Sequence, residues 1–429
     1  MALKLWPLLN NFKLKGTELI LKGISVAANE TCIMYGNEIM FDCGYDSKQD
    51  PKYIFISHTH EDHQKALVSH ILGKTEDDMF PTVFLPAGSY ELLKKKIMIS
   101  LQTSMQSSQA SIDKLFNRVK FVPVYFEEGV YAKTLETLFV INNHKHKIEI
   151  IKCAHAVPTT GYGIIEQKEK LKPEYLPDPT QKNNPEYMRE HKQMIGELMK
   201  INKENIIYYE DNPIVCFLTD TDHTILYDRT IPFAQGQKKH TKELIKKHPY
   251  NPELEKYKNI IIECTFVLPE HYQNAKKTHH MHWDNLKQFV VDHPNINFVL
   301  IHRSDRMYAY EYESFFKRIQ KEAIRTASDE LKVAIDAMLK EAIETNKTEE
   351  EINVATDELK KIHVPKLQNI TVLVNDIEKN LDSMRTKNYP KKISTDNTSK
   401  KSSSNKSNKS NKSNKSNKSN KSKKSSLNE

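Results

Sequence analysis

Three histidines and an aspartate are packed into six positions of the chain, at His58, His60, Asp62 and His63. Imidazole nitrogens are ligands that zinc prefers, and carboxylate oxygens suit borderline or harder cations. An apolar run predicts a strand before them, and the residues after them predict a helix. His58 and His60 can then converge on one ion from an extended loop, while Asp62 and His63 face a second ion. A lone histidine is usually a surface or core residue, but this density predicts a metal site.

Further metal-ligand residue types occur later in the chain, at or near the carboxyl ends of apolar, strand-like runs. A sheet fixes the position of such residues, and the loops at the strand ends bring their side chains together. The sequence therefore predicts a site built on a sheet. These runs are KIEIIKCAHAV, IVCFLTDTD, NIIIECTFV and INFVLIHRS.

The first 60 residues alternate apolar and polar positions between turn residues, which predicts a series of short strands. Such an opening favours layers of sheet over a parallel nucleotide-binding fold. Helical patterns follow the first histidine cluster and the strand that ends near Glu263, and another is expected from Pro185 to about Lys203. The chain is thus expected to combine sheets with helices.

The His-x-His-x-Asp-His pattern resembles the metallo-β-lactamase superfamily, and Asp42 in MFDCG resembles a structural aspartate of that superfamily. The downstream segments resemble one branch, ribonuclease Z in its short form, over about residues 21–306. The resemblance implies an αββα sandwich, the metallo-β-lactamase fold, which is of the α/β class. The segments that carry it are CAHAVPTTGYG from Cys153, LTDT from Leu218, IECTF from Ile262, HHMH from His279 and LIHRSDR from Leu300.

The same resemblance implies a role for each residue of the site. His58, His60 and His155 would hold a first zinc ion, Asp62, His63 and His302 a second, and Asp220 would bridge the two. Asp62 would also accept a proton, and Glu263 with His280 would form an acid–base pair. Ser304 and Arg306 are candidates for binding a phosphate, with a structural role in the loop as the alternative. The cofactor expected is two Zn²⁺, with Mn²⁺ or another divalent ion as an alternative.

For the three neighbouring histidines, His279, His280 and His282, the sequence leaves open which one is catalytic. His280 is the preferred candidate; solvation in the loop is the alternative for all three, and one of the three is expected to have only that role. For Glu263, the structural alternative is an ordinary salt bridge at the end of a strand.

The function implied is that of a zinc-dependent endoribonuclease that hydrolyses a phosphodiester of precursor tRNA and removes the 3′ trailer. A second hypothesis is a phosphodiesterase of the same fold that acts on another RNA, DNA or a cyclic nucleotide. A third is a non-catalytic interaction protein, which the filled ligand positions disfavour. The partners expected are precursor tRNA or another RNA and a second copy of the chain, since short-form relatives are typically homodimers.

An insertion at 166–204 occupies the place of the arm with which the family grips tRNA. It contains eight Lys or Arg and eight Asp or Glu, so its net charge is zero, and its one glycine is Gly196. Phosphate contacts dominate affinity for nucleic acid, and a neutral arm is therefore a poor clamp. This favours the second hypothesis.

The domain organisation predicted is a hydrolase domain over 1–310 that carries the arm, a helical extension over 311–389, and a disordered tail over 390–429. The tail repeats Asn-Lys-Ser six times from Asn405 to Ser422 and has almost nothing apolar to bury. From Lys391 onward it holds 12 Lys against two acidic residues, a net charge of +10, so the other 390 residues sum to −2 and the chain's net charge of +8 comes from the tail.

No run of apolar residues is long enough for a membrane span, and the N-terminus lacks the pattern of a secretory signal. The five cysteines are scattered and never form a Cys-x-x-Cys pair, which favours a reducing compartment. We therefore expect an intracellular, cytoplasmic protein without a membrane partner, with the basic tail as a possible nuclear address.

Overall fold

The structure is a computed structural model, and it describes residues 6–18, 20–72, 80–105, 108–231, 248–345, 347–362, 366–376, 378–380 and 382. The tail predicted over 390–429, and the last residues of the predicted extension, lie outside these described residues. Within them, no helix combines the length and the apolar character needed to cross a membrane.

The described residues form two seven-stranded sheets, in each of which the strands pair in chain order. Both sheets are antiparallel over their first four strands and parallel over the rest. The first sheet contains β1 (Phe12–Lys13), β2 (Ile20–Val26), β3 (Glu30–Tyr35), β4 (Ile39–Phe41), β5 (Tyr53–Phe55), β6 (Thr82–Pro86) and β7 (Lys120–Val124). The second contains β8 (Ala132–Ile141), β9 (His144–Lys152), β10 (Thr160–Leu171), β11 (Ile207–Leu218), β12 (Asn259–Glu263), β13 (Asn297–Ile301) and β14 (Ile370–Val372).

Helices connect these strands and cover the outer faces of the sheets. The α-helices of the described residues are α1 (Glu61–Gln64), α2 (Leu67–Leu72), α3 (Tyr90–Met105), α4 (Gln109–Phe116), α5 (Pro185–Ile206), α6 (Pro252–Glu255), α7 (Tyr272–Thr278), α8 (Trp283–Asp292), α9 (Ala309–Glu344) and α10 (Glu349–Ile362).

Alternation along the strands sorts the apolar side chains into three layers, because successive side chains of a strand point to opposite faces. On β3, Ile33 packs into the layer between the sheets, while Cys32 packs into the layer under α2, α3 and α4. Phe41 of the first sheet stacks on Phe217 of the second at 4.6 Å between ring centroids. The outer face of the second sheet packs against α8 and the start of α9. The predicted αββα sandwich is confirmed.

The arm predicted over 166–204 lies between β10 and β11. These two strands pair from Tyr162 opposite Phe217 to Leu171 opposite Ile207, and α5 connects their far ends. Asn184 caps α5, since its side chain accepts hydrogen bonds from the two backbone amides after Pro185. The helix ends at Ile206, three residues beyond its predicted end, and Ile206 is its one buried residue.

The extension predicted over 311–389 is not purely helical. After α9 and α10, residues 370–372 form β14 and pair in parallel with β13. The chain that follows is bonded into the sandwich, because the Asn375 side chain donates to the carbonyl of Gly23 at 3.0 Å. Glu378 also forms a buried ion pair with Arg303 at 3.1 Å. The domain boundaries stay a prediction, but residues 370–376 and Glu378 pack beside the loop that carries His302.

Candidate metal centre

The predicted site residues lie where strands of both sheets end, at one edge of the sandwich. Asp42 follows β4 and His58 follows β5 in the first sheet. In the second sheet Asp220 follows β11, Glu263 ends β12 and His302 follows β13. The carboxyl ends of neighbouring parallel strands meet at the same edge, and these side chains therefore converge.

Three of these residues have backbone conformations that a side chain usually disfavours. The φ angles of Asp42, Asp220 and His302 are +54°, +44° and +60°. Positive φ is uncommon outside glycine, and such strain is found preferentially at functional sites. In each case the strained residue follows the end of a strand closely, so the chain turns sharply there.

The first group of candidate ligands consists of His58, His60, His155 and one oxygen of Asp220. His58 Nε2 lies 2.9 Å from His60 Nδ1, which lies 3.4 Å from His155 Nε2. Asp220 Oδ2 lies 3.4 Å from His58 Nε2 and 3.7 Å from His155 Nε2. Two ligands of a tetrahedral zinc ion, each bound at about 2.1 Å, lie about 3.4 Å apart. The spacing therefore suits one ion.

The second group consists of Asp62, His63 and His302. His63 Nε2 lies 3.4 Å from Asp62 Oδ2 and 3.4 Å from Asp220 Oδ1. His302 Nε2 lies 3.6 Å from the same oxygen of Asp62 and 3.0 Å from Asp220 Oδ1. Asp220 thus faces the first group with Oδ2 and the second group with Oδ1, an arrangement that allows one carboxylate to bridge two ions.

Two buried nitrogen atoms test whether a metal fits this arrangement. Nε2 of His63 and Nε2 of His302 are buried and make no hydrogen bond to the described residues. Leaving a buried polar atom unsatisfied costs about 1–3 kcal/mol, and a cation between them would satisfy both. Their other ring nitrogens are held by Asp42 Oδ2 at 2.8 Å and Thr265 Oγ1 at 3.0 Å. Partners of this kind orient histidine ligands, so these residues fit a divalent metal.

The electrostatics of the cluster favour the forms in which Asp62 and His58 would bind a metal, an ionised carboxylate and a neutral imidazole. Burial opposes ionisation of Asp62, but His302 and His63 hold the pKa of its carboxyl below the usual value. Burial, and then the nearby His63, lowers the pKa of His58 to about 3, so its imidazole is neutral at neutral pH. Burial also opposes charge on His63, yet Asp220 and Asp42 raise the pKa of its imidazole well above the usual value. Metal binding at His63 must therefore release a proton.

Asp42 holds one ligand of each group in place through hydrogen bonds. It is fully buried and accepts hydrogen bonds from the Ser57 amide at 2.7 Å, the Ser57 hydroxyl at 2.9 Å and His63 Nδ1. The Ser57 hydroxyl lies 3.0 Å from His58 Nδ1, so Asp42 reaches a ligand of the first group through Ser57. Gly44 leaves room for the loop, since a Cβ there would lie 1.7 Å from the carbonyl oxygen of Asp62.

Glu263 and His280 form a contact pair beside the metal groups. Glu263 is fully buried, and its Oε2 lies 3.0 Å from His280 Nδ1. Glu263 also accepts hydrogen bonds from the Thr221 amide and, at 2.5 Å, from the hydroxyl of Thr265, the partner of His302. Burial opposes charge on His280, but the Glu263 carboxylate raises the pKa of its imidazole to about 9. The Glu263 carboxylate therefore favours the cationic, doubly protonated form of His280.

The other two histidines of this segment lie elsewhere. His282 is buried and caps α8, where its Nδ1 accepts from the Asp284 amide and its Nε2 lies 3.0 Å from the carbonyl of Leu268. The side chain of His279 is 50% exposed, and its Nδ1 lies 3.6 Å from Asp222. Of the three, His280 is the one whose side chain lies within reach of both Asp220 and His302.

Ser304 and Arg306 lie next to the cluster rather than within it. Ser304 is buried, its amide donates to the carbonyl of Thr265 at 3.1 Å, and its hydroxyl accepts from the Arg306 amide at 3.3 Å. Arg306 lines a separate pocket of about 510 Å³ together with His271 and Arg318. Their role in phosphate binding stays a prediction.

Several supporting contacts were not predicted from the sequence. They include the bond from the His302 amide to Ser25 Oγ at 3.1 Å and the contact of His302 with Thr265. A groove of about 430 Å³ beside His155, lined in part by Tyr125, was also not predicted. Serine, threonine and tyrosine are common at many positions, so no spacing in the sequence singles these residues out.

No protein-family model matches the chain, and its similarity is to individual proteins. The curated protein tRNase Z TRZ1 of Arabidopsis thaliana is 23% identical over 301 residues, which are 68% of this chain and 88% of that protein. Nuclear ribonuclease Z of Triticum aestivum is 27% identical over 160 residues, 36% of this chain and 80% of that protein. These relatives confirm the resemblance to ribonuclease Z.

Solved structures show a weaker likeness to the chain. The crystal structure of human tRNase Z, short form, is 12% identical and covers 67% of this chain and 93% of its own, with a TM-score of 0.35. At this TM-score the likeness is weak, and the αββα sandwich is defined by the two sheets and three core layers of this chain.

Proposed function

We propose that this ribonuclease Z-like chain is a zinc-dependent endoribonuclease that removes the 3′ trailer from precursor tRNA. The observation that carries the proposal is Asp220, whose two oxygens face two separate groups of histidine and aspartate ligands. The two curated relatives, each named as a ribonuclease or tRNase Z, supply the substrate.

His58, His60 and His155 would hold one Zn²⁺, Asp62, His63 and His302 the other, and Asp220 would bridge them. Two ions so held would supply Lewis-acid stabilisation of the phosphate oxygens and an activated water. Mn²⁺ is an alternative, because the ligand set of nitrogen and carboxylate oxygen also accepts it. Elemental analysis of purified protein tests this, with about two zinc ions per chain as the expected result.

The residues of the chain then divide the proton transfers between them. Asp62 accepts a proton from the attacking water. His280, protonated and held through Nδ1 by Glu263, presents Nε2 to the leaving 3′-oxygen and donates a proton to it. The water oxygen bonds to phosphorus as the bond to the 3′-oxygen breaks. The products are a tRNA with a 3′-hydroxyl and a trailer with a 5′-phosphate.

The neighbouring histidines offer a matched test of the acid. His280→Gln should lower kcat for cleavage of tRNA with a 3′ trailer by about 10²- to 10⁴-fold, the usual contribution of a general acid, with zinc content unchanged. His279→Gln, at the exposed adjacent position, should retain activity within about threefold. Equal activity of both variants would refute the role of His280, and no chelator-sensitive cleavage by the wild-type protein would refute the proposed function.

A second candidate is a phosphodiesterase that acts on another RNA, DNA or a cyclic nucleotide. The arm's net charge of zero favours it, and three of the arm's eight cations are paired with carboxylates. A bis-aryl phosphodiester assayed in parallel separates the two candidates. Cleavage of the diester without cleavage of tRNA would favour the second. The pairs are Lys168 with Glu166 at 3.9 Å, Lys170 with Glu210 at 3.7 Å and Lys203 with Glu169 at 2.6 Å.

We also propose a homodimer, as in short-form relatives, and an intracellular protein that works in the cytoplasm or, through its basic tail, in the nucleus. The name of the Triticum aestivum relative supports a nuclear location. Analytical ultracentrifugation tests the first proposal, and imaging of the full chain with and without residues 390–429 tests the second.

A further inference from the structure

We propose that the groove beside His155 binds the base of a nucleotide that flanks the scissile phosphate, and that Tyr125 is the surface on which this base stacks. The inference rests on the proposed function, since it assigns a subsite for RNA at the same centre. His155 is the one candidate metal ligand among the residues that line the groove, and neither Glu263 nor His280 lines it.

The groove lies directly beside the candidate metal centre. It has a volume of about 430 Å³, and His155, a candidate ligand of the first group, forms part of its wall. A phosphodiester that contacts the metal groups would therefore have one of its two flanking nucleosides at the mouth of the groove.

The walls of the groove have the chemistry that a nucleobase requires. Tyr125 directly follows β7, and 64% of its surface is exposed. Val124, Val157, Pro158 and Gly88 supply further apolar surface. At Gly88 a Cβ would lie 3.1 Å from the Pro158 ring, so this wall is closely packed. An unpaired base is a flat apolar surface with polar edges, and proteins bind such bases by stacking aromatic side chains on them.

Cations beside the groove complete the pattern. Lys152 lines it, and the ammonium group of Lys152 lies 5.9 Å from the centroid of the Tyr131 ring. The guanidinium of Arg229 lies over the same ring at 4.6 Å and donates a hydrogen bond to the carbonyl of Lys152. Aromatic side chains interleaved with cations are typical of surfaces that bind single-stranded nucleic acid. The occupant is therefore expected to be single-stranded at the cleavage site.

Kinetics with base-deleted substrates test the inference. Tyr125→Ala should slow single-turnover cleavage of trailer-bearing tRNA by about 5- to 150-fold, the range for loss of one stacked base. Tyr125→Phe keeps the ring and should stay within about twofold of wild type. On substrates made abasic on one or the other side of the scissile bond, one of the two should abolish the difference between Tyr125→Ala and wild type.

A binding measurement provides a readout that does not depend on turnover. A non-hydrolysable RNA with 2-aminopurine at the flanking position should lose fluorescence on binding to wild-type holoenzyme and to Tyr125→Phe, but not to Tyr125→Ala. Tyr208→Ala is the control for loss of an exposed tyrosine, since Tyr208 is 43% exposed on β11, and it should quench like wild type.

The two levels of failure are distinct. If the wild-type protein cleaves tRNA but Tyr125→Ala cleaves every substrate as fast as wild type, the subsite is wrong. An equal loss on intact and both abasic substrates would assign Tyr125 a structural role and also overturn it. If the wild-type protein cleaves no tRNA, the proposed function fails, and the subsite fails with it.

Discussion

Substitution of Asp42 by asparagine tests the hydrogen bonds that orient the metal ligands, without changing any ligand. Asparagine has nearly the same shape as aspartate and is one of the few residues that tolerate the φ angle of +54° found there. Its oxygen can still accept from the Ser57 amide. Its NH₂ group, placed where Oδ2 now lies, cannot accept from His63 Nδ1 at 2.8 Å or from the Ser57 hydroxyl at 2.9 Å.

The loss should reach both metals, because Asp42 contacts His63 directly and His58 through Ser57. Loss of one outer partner typically weakens metal binding by about 10- to 100-fold, which is roughly 1.4–2.7 kcal/mol. We therefore expect Asp42→Asn to release zinc to a competing chelator at a free-chelator concentration at least tenfold lower than wild type. Asp222→Asn, which alters a half-buried aspartate that contacts His279, is the matched control. Unchanged zinc affinity in a folded Asp42→Asn protein would refute the reasoning.

Three further outcomes are expected. Gly44→Ala should lower zinc content and thermal stability, since its Cβ would lie 1.7 Å from a backbone carbonyl oxygen; metal analysis that finds wild-type content would contradict this. Glu378→Gln should cost about 3–5 kcal/mol of unfolding free energy, because it leaves the buried Arg303 without its carboxylate; a loss below about 1 kcal/mol by denaturant titration would count against it. Chelation should lower the Tm, because a metal present at 100 times its Kd stabilises the native state by about 2.7 kcal/mol; a Tm that does not respond to chelator would argue that no resident metal binds.

The sequence predicts the layered fold well, because the signals it depends on are local. Short alternating runs predicted β2, β3 and β4, and the apolar runs before Asp220, Glu263 and His302 predicted β11, β12 and β13. For a strand with a polar residue at its carboxyl end, a few adjacent residues are enough to predict both the extended conformation and the position of that polar residue at the edge of the sheet. The seven candidate ligands, predicted through the family resemblance, also lie together in the structure.

Other features depend on contacts between distant parts of the chain. No local pattern of residues predicts such contacts. The range predicted as a helical extension includes β14, whose three residues are too few to give a period. Glu378 pairs with Arg303 from 75 positions away, and the bond from His302 to Ser25 spans 277 positions. Tyr125 is neither a candidate metal ligand nor part of a catalytic motif, so the sequence does not predict a role for it in the site.

The charge of the arm and the groove at His155 together address how the protein selects its substrate. A clamp on a tRNA body needs an excess of cations over carboxylates. The arm's eight Lys and Arg are balanced by eight Asp and Glu, and Lys168, Lys170 and Lys203 each lie within 4 Å of a carboxylate. With the proposed subsite, specificity then depends more on contacts near the cut, where Tyr125 offers stacking and Lys152 adds one cation. Stacking is far less sensitive to salt than phosphate pairing, so affinity for RNA should fall only shallowly with ionic strength. A steep salt dependence would instead indicate that phosphate contacts made by the arm supply most of the affinity for RNA.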